Sequence, residues 1–135
     1  MHVIPTIRVV CAVIIRHGKA LAVRRSKDMK MPLLWEFPGG KVHDGESDER
    51  ALEREIKEEL HSEIRIIRPL KPVHHQYKHF IIDLIPFLCE LRSDRIVLHE
   101  HAELWWCSRR ELGLLEWCEA DVPIAGEVAG LIGHD

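Results

Sequence analysis

The sequence predicts an α/β (α+β) sandwich in which helices cover a mixed β-sheet. Several apolar or alternating runs of strand length lie on both sides of one strongly charged segment with helical periodicity. The 135 residues, 46 % of them hydrophobic, are enough to build one core. We therefore expect a single domain over residues 1–135.

The first two elements are predicted to form a β-hairpin. The run TIRVVCAVII (6–15) is apolar and β-branched, and the next run, RHGKALAVRR (16–25), carries a His-Gly pair between two extended segments. Such a pair is typical of a tight turn between strands. A third strand is predicted in LLWEF (33–37), and the Pro-Gly-Gly sequence at 38–40 is predicted to end it in a loop.

A helix is predicted to follow, with Ser47 as its N-cap and acids in its first turn, where they complement the helix dipole. At ~100° per residue, three apolar side chains fall on one stripe of this helix. We expect that stripe to be buried; it consists of Leu52, Ile56 and Leu60.

The second half of the chain predicts three more strands and two helices. The strands are expected in SEIRIIRPL (62–70), HFIIDLIPFLCEL (79–91) and AELWWCS (102–108). Ser108 and Glu111 have capping-box spacing, which predicts a short helix there. The final segment predicts a helix from the spacing of its apolar residues, Val122, Ala125, Val128, Ala129 and Ile132.

Composition excludes several classes of function. A net charge of −3 argues against a stable complex with nucleic acid, which requires a basic patch. No run approaches the ~20 apolar residues that span a bilayer, so we expect no membrane partner. The four cysteines are scattered without a C-x-x-C pair, which favours buried, reduced thiols over a zinc site. These observations predict a cytoplasmic protein.

The predicted central helix concentrates negative charge. Eight of the chain's 22 acidic residues lie between Asp44 and Glu59, against three basic ones. Pairs at i, i+4 spacing on a solvated helix explain part of this charge. They do not explain Glu55, Glu58 and Glu59, which share one face beside the buried stripe, where Arg54 is the only basic residue expected to reach Glu58 from the side. We call these three residues the glutamate trio.

Clustered carboxylates repel one another, so a cation is expected on that face. Mg²⁺ prefers carboxylate oxygens, retains water and completes its shell with substrate phosphates. The adjacent Gly39 and Gly40 allow the backbone to approach closely, and a freed carbonyl there offers another oxygen ligand. The pattern therefore predicts a magnesium site that works on a phosphorylated substrate.

The spacing of these residues resembles the Nudix box. Gly40, five residues, Glu46, seven residues and then REIKEE (54–59) match that box, which marks hydrolases of nucleoside diphosphates linked to another group. The segments LWEFPGGKV (34–42), HEHAELWWCS (99–108) and ADVPIAGEV (120–128), together with Arg24-Arg25, are similar to the MutT-type branch, which includes bacterial enzymes acting on CTP and on damaged nucleotides.

The resemblance implies a Nudix α/β/α sandwich and Mg²⁺-dependent hydrolysis, with Mn²⁺ as a substitute. A nucleoside triphosphate, CTP-like, dCTP-like or oxidised, would be cleaved between the α and β phosphates to a monophosphate and pyrophosphate. Many relatives form homodimers, but no feature of this sequence indicates one. The alternative hypotheses are a Nudix hydrolase of ADP-ribose, dinucleotides or capped RNA, and a nucleotide-binding sensor without catalysis. The sensor is disfavoured because every box carboxylate is retained.

The resemblance also implies roles for individual residues. Glu46 and Arg54 are expected to form a structural pair, and either Glu58 or Glu100 is expected to deprotonate the attacking water. The candidates for substrate contacts are Arg25, Phe37, Lys41 and Asp121, although Asp121 is also a candidate cap of the last helix. The expected metal ligands are Gly40, through its carbonyl, with Glu55, Glu58, Glu59 and Glu100.

Two positions depart from the family pattern. The box usually continues with glycine and an apolar residue, whereas this chain has His61 and Ser62, which puts the loop geometry there in doubt. The enzyme that removes oxidised guanine nucleotides carries an asparagine in the closing segment, where this chain is expected to have Gly126. Glycine has no side chain to read a base, which argues against oxidised guanine as the substrate.

Overall fold

The structure is a computed structural model and describes residues 3–132. The strands are β1 Thr6–Arg16, β2 Lys19–Arg24, β3 Trp35–Glu36, β4 Gly39–Lys41, β5 Ile64–Pro69, β6 Val73–Gln76, β7 Ile81–Leu91 and β8 Glu103–Cys107. The helices are α1 Asp48–Leu60, α2 Arg109–Leu112 and α3 Val122–Leu131, with the 3₁₀ helix Glu119–Asp121 directly before α3.

The sheet is built on β1 and β7, two eleven-residue strands that pair in parallel from Thr6 opposite Ile81 to Ile14 opposite Cys89. Every other strand pairing is antiparallel, so the sheet is mixed. On the other edge of β1, β4 pairs with the middle of the strand and β2 with its end. Along β7, β6 pairs with the first half and β5 with the second.

Side-chain alternation along β1 separates two apolar layers. Val10, Ala12 and Ile14 point to one face, where they belong to the same buried cluster as α1. Cys11 and Val13 point to the other face and cluster with α3. The buried stripe predicted for α1 is fully buried in the structure: Leu52, Ile56 and Leu60. Helices therefore cover both faces, and the predicted sandwich is confirmed.

One expectation about the strands was wrong, and one strand was missed. The predicted loop at 38–40 contains strand β4, in which Gly39 and Gly40 pair with Cys11 and Val10. Glycine is depleted in strands, but here its missing side chain is required, since a Cβ on Gly39 would lie 1.9 Å from the carbonyl oxygen of Val10. Strand β6 was not predicted because it is short and its sequence, VHHQ, is largely polar.

Within residues 3–132, no helix is long and apolar enough to cross a membrane. The four cysteines, all buried, are free thiols.

Candidate active site

Helix α1 begins and ends at defined residues, which fixes the direction of the glutamate trio. Ser47 caps the N-terminus, where its Oγ accepts the backbone N–H of Arg50 at 3.2 Å. His61 ends the helix in the left-handed conformation (φ 53°), and its N–H donates to the Lys57 carbonyl at 3.1 Å. Histidine therefore takes the conformation that glycine usually supplies at this point.

Arg54 is the centre of an ion-pair network on α1. Its Nε and Nη2 donate to the two carboxylate oxygens of Glu46 at 2.8 and 2.9 Å. Its Nη1 lies 2.8 Å from Glu55 and 3.3 Å from Glu58. Nη2 also donates to the Lys41 carbonyl at 3.0 Å, which ties the helix to β4. Arg54 therefore makes the contact with Glu58 that the sequence predicts, and it contacts Glu55 as well.

The network separates the pKa values of its carboxyl groups. The hydrogen bonds from Arg54 lower the pKa of Glu46 to about 2, with a contribution from the His43 backbone N–H. Burial raises the pKa of Glu55 in spite of the same arginine. Burial also raises the pKa of Glu59 to about 9, and the negative charges of Glu36 and Glu55 add to this effect.

The trio occupies three different environments. The Glu55 side chain is 13 % exposed and lies against Gly40, where a Cβ would be 2.3 Å from its carboxyl carbon. Glu59 is more deeply placed, and its Oε2 accepts the Gly39 N–H at 3.3 Å. The Glu58 side chain is 58 % exposed. Gly40 therefore provides the space in which Glu55 lies beside the sheet, and the Gly39 N–H holds Glu59 there.

Among residues 3–132, no three side chains of His, Cys, Asp or Glu are gathered closely enough to hold a metal ion together. The contacts above give the reason, because Glu55 turns toward Arg54 while Glu59 turns toward Gly39. The donor set itself suits a hard cation: its members are carboxylates, and burial and mutual repulsion raise the pKa of two of them.

Glu100 lies in an exposed turn, and its side chain is 67 % exposed. Two backbone hydrogen bonds join this segment to the end of α1: His99 N–H donates to the Glu59 carbonyl at 3.0 Å and Val97 N–H to the Leu60 carbonyl at 2.9 Å. The backbone thus places the Glu100 segment beside the trio. The one contact described for its carboxylate is with the His99 ring, at 3.7 Å.

A cavity of about 540 Å³ adjoins the trio, and we call it the central cavity. Its acidic lining is Glu36 and Glu59, with the backbone of Gly39 and Gly40 beside them, and its aromatic lining is Phe37, Tyr77 and Phe80. Asp121, Arg25 and Lys41 also line it. A substrate in this cavity would therefore contact the box backbone and an apolar, aromatic surface at once.

Three of the four residues predicted to contact the substrate already hydrogen-bond to or stack on other residues of the protein. Arg25 Nη1 lies 3.0 Å from both carboxylate oxygens of Glu36, and Arg25 Nε donates to the Lys30 carbonyl at 2.5 Å. The Phe37 ring is 2 % exposed and stacks on Trp117 at 4.7 Å between centroids. Asp121 accepts the Phe37 N–H at 2.9 Å. Lys41 is exposed on β4 beside Gly40.

Asp121 is not a side-chain cap of α3. Its carboxylate makes no capping hydrogen bond among the described residues and is directed to Phe37 instead. The residue is 6 % exposed, and burial raises its pKa to about 8, opposed by the Phe37 N–H and assisted by Glu36. At neutral pH this carboxyl therefore retains its proton in most molecules.

The structure also changes the argument about Gly126. This residue lies in α3 and lines a second cavity of about 630 Å³ between α2 and α3, together with Leu112 and Trp117. That cavity contains none of the trio. The lack of a side chain at Gly126 therefore does not bear on base recognition in the central cavity, and the sequence argument against oxidised guanine no longer holds.

Sequence reasoning missed three residues of this region. Glu36 bonds to Arg25 and to Nε2 of the buried His101, 2.8 Å away. His101 Nδ1 is buried without a hydrogen-bond partner in the described part of the chain. Tyr77 lines the central cavity from the turn after β6. The one signal for Glu36 was an acid within the apolar stretch LLWEF, since a charge there needs a partner.

The family model for the NUDIX domain matches residues 10–126. The chain belongs to the Nudix family. The CTP pyrophosphohydrolase of Escherichia coli (strain K12) is 36 % identical over 118 residues, 87 % of each chain. The 8-oxo-dGTP diphosphatase of Proteus vulgaris is 36 % identical over 73 residues, which cover 54 % of this chain and 65 % of that one.

The solution structure of MutT, a Nudix hydrolase from methicillin-resistant Staphylococcus aureus 252, has a TM-score of 0.76 and 36 % identity to this Nudix protein. The match covers 93 % of this chain and 97 % of that chain. The predicted membership of the MutT-type branch is confirmed. As a Nudix hydrolase, the protein acts on nucleotides, and enzymes of this family generally use divalent metal ions.

Proposed function

We propose that this Nudix hydrolase is an Mg²⁺-dependent nucleoside triphosphate pyrophosphohydrolase. It cleaves a CTP-like, dCTP-like or oxidised nucleotide to the monophosphate and pyrophosphate. One observation carries the proposal: a single cavity is lined both by the box residues Gly40 and Glu59, with Gly39 beside them, and by aromatic side chains with Asp121. The acidic lining suits a metal-bound polyphosphate, and the aromatic lining suits a base.

The residues that would hold Mg²⁺, or Mn²⁺ in its place, are the Gly40 carbonyl, Glu55, Glu58, Glu59 and Glu100. Bound metal neutralises charge on the phosphate oxygens and lowers the pKa of a coordinated water. To hold the cation, Glu55 and Glu59 would give up their contacts with Arg54 and Gly39. Arg54 remains bonded to Glu46 through Nε and Nη2 and keeps α1 fixed against β4.

The general base is Glu58 or Glu100. Both side chains are largely exposed and their described contacts are long, Glu58 with Arg54 at 3.3 Å and Glu100 with His99 at 3.7 Å, so each can turn toward a water molecule. Glu55 supports the reaction from its position against Gly40. Lys41, beside the same glycine, contacts the phosphates. Arg25 also contacts them, and to do so it gives up part of its ion pair with Glu36.

Phe37 and Asp121 contribute to recognition of the base. A carboxyl group that retains its proton offers an O–H donor and a carbonyl acceptor, and cytosine presents the complementary N3 acceptor and N4 amino donor. The raised pKa of Asp121 therefore favours a cytosine-like edge at neutral pH. The ionised carboxylate is only an acceptor and would favour the N–H-rich edge of an oxidised guanine.

The test is separate assay of pyrophosphate and orthophosphate release with Mg²⁺ from CTP, dCTP, 5-substituted dCTPs, GTP, dGTP, 8-oxo-dGTP and ADP-ribose. We expect pyrophosphate from one triphosphate with a higher kcat/KM than from the others, and no turnover in EDTA. AMP from ADP-ribose with no turnover of any triphosphate would refute the substrate class. Full activity in EDTA would refute the metal requirement.

We further propose that the chain is one domain that works in the cytoplasm on free nucleotides. Its buried free thiols and net charge of −3 support this setting over an oxidising compartment or a nucleic-acid surface. Light scattering of the purified protein would show whether it forms the homodimer found in many relatives.

A further inference from the structure

The turn between β6 and β7 contributes two aromatic rings to the central cavity. Tyr77 N–H donates to the Phe80 carbonyl at 2.8 Å, which closes the turn. The two rings stack with centroids 4.9 Å apart at 22°, and both line the cavity. His75 meets the edge of the Tyr77 ring at 4.6 Å. The Tyr77 ring is therefore fixed from two sides.

The hydroxyl of Tyr77 leaves this turn and contacts the segment that carries Asp121. Its oxygen accepts the backbone N–H of Ala120 at 3.0 Å, in a partly buried position. A second contact from β6 reaches the same 3₁₀ helix, since His75 Nε2 lies 2.9 Å from Glu119. Burial raises the pKa of the Tyr77 hydroxyl, so it remains neutral at physiological pH.

The 3₁₀ helix is held from its other side by the strand that leads into the box. Asp121 accepts the Phe37 N–H at 2.9 Å, and Cys118 N–H donates to the Trp35 carbonyl at 2.8 Å. The Asp121 carboxyl therefore lies between two supports, the backbone of 35–37 and the Tyr77 hydroxyl. Loss of the Tyr77 hydroxyl would leave the exposed His75–Glu119 pair as the contact between β6 and the 3₁₀ helix.

We propose that Tyr77 is a positioning residue for base selection: its hydroxyl holds the Ala120–Asp121 backbone in place, and its ring with Phe80 forms the apolar wall beside the base. The inference rests on the proposed function and adds a residue to it. Tyr77 lies far from the glutamate trio in the sequence and has no described contact with it. Its loss should therefore change base preference and KM rather than the chemical step.

Tyr77→Phe tests the hydroxyl, because it removes one hydrogen-bond acceptor and keeps the ring. Trp105→Phe is the matched control: it removes the hydrogen bond from an aromatic ring to Glu111, 3.0 Å long, on an exposed part of β8. The primary measurement is calorimetric binding of CMP, UMP, GMP and AMP in EDTA. Monophosphate binding requires neither metal nor cleavage, so a failure of the proposed hydrolysis shows separately, in the wild-type turnover assay.

Because Tyr77→Phe removes one hydrogen bond, we expect it to weaken binding of the preferred monophosphate about 3- to 10-fold. The affinity ratio between the preferred and the weakest monophosphate should shrink, and Trp105→Phe should leave it unchanged. In turnover, KM should rise while kcat stays within about twofold. Hydrogen exchange at the Ala120 amide should become faster.

Two results would overturn the inference. One is an equal loss of affinity for all four monophosphates, accompanied by a lower melting temperature. That result would show that Tyr77 contributes to stability and not to base selection. The other is unchanged affinities with a folded variant. Tyr77→Leu separates the ring from the hydroxyl, since it should weaken every monophosphate further than Tyr77→Phe if the ring forms the wall.

Discussion

The acidic and aromatic linings of the central cavity are assembled in different ways. The acidic lining and its supporting ion pairs come from one continuous stretch, residues 36–59, which runs from the end of β3 through β4 and a turn into α1. The aromatic lining joins Phe37 to Tyr77 and Phe80, with Asp121 from the other end of the chain. The first is local in sequence, and the second exists only after the sheet has formed.

This difference separates the chemistry from the choice of substrate. The local stretch carries charges whose positions depend on one helix and one arginine, Arg54. The nonlocal lining depends on hydrogen bonds from a backbone N–H to a side chain in a distant segment, such as Phe37 to Asp121 and Ala120 to Tyr77. We therefore expect substitutions in residues 39–59 to alter rate, and substitutions in the aromatic lining to alter selectivity.

The largest effect is expected from Glu58→Gln. Loss of a metal ligand or general base should lower kcat about 10²- to 10⁴-fold, whereas the melting temperature should change little because the side chain is largely exposed. Glu53→Gln, exposed on the same helix, is the control. A rate within tenfold of wild type would exclude Glu58 as the base and direct the same experiment to Glu100→Gln.

A smaller effect is expected from Arg54→Lys. Lysine cannot make the two-pronged contact with Glu46 while also reaching Glu55, so the trio should lose its orientation. We expect kcat/KM to fall about 10- to 100-fold, as for groups that orient metal ligands. Steady-state kinetics would measure this, with Arg50→Lys as the control on the exposed side of α1. Unchanged kinetics would show that the network does not support the trio.

Substitutions of the two adjacent glycines, Gly39 and Gly40, should affect different properties of the protein. Gly39→Ala forces a Cβ into the Val10 carbonyl and should lower the free energy of unfolding by about 1–3 kcal/mol. Gly40→Ala meets the Glu55 carboxylate instead, so it should mainly lower kcat. Urea denaturation together with turnover separates the two effects. Gly126→Ala, which has open space around it in α3, is the control; the reverse pattern would contradict the geometry of β4.

The smallest effect on turnover is expected from the titration of Asp121, which acts on stability instead. Because its pKa is about 8 in the folded protein against an ordinary 3.8, its stabilising contribution is complete below pH 3.8 and is lost as the pH rises through 8. Melting temperatures in EDTA should therefore decline more steeply with pH in the wild type than in Asp121→Asn.

Some decline should remain in Asp121→Asn, since the pKa of Glu59 is raised as well. Asp28→Asn, at an exposed acid, should behave as wild type does. If Asp121→Asn retained the full wild-type slope, Asp121 would be ionised in the folded protein at neutral pH, and the argument for a cytosine-like edge would fail.

Sequence alone was sufficient for the elements whose signals lie within a few residues. The hairpin at His17 and Gly18, the Ser47 cap and the capping box at Ser108 are all present in the structure. Each depends on contacts within one turn, so residue type and spacing determine it. The short strands β4 and β6 could not be predicted, because their partners in β1 and β7 supply the hydrogen bonds that their own composition disfavours.

The same division holds at the site. The sequence by itself determined the fold class and the stripe on α1 that is buried, because these follow from periodicity, and it carried the resemblance to the Nudix box in residues 40–59. Only the tertiary structure decided that Asp121 faces Phe37 instead of capping α3, that Gly126 belongs to another cavity, and that Tyr77 supports Ala120. Burial and long-range hydrogen bonds set those placements, and both depend on which distant segments the sheet brings together.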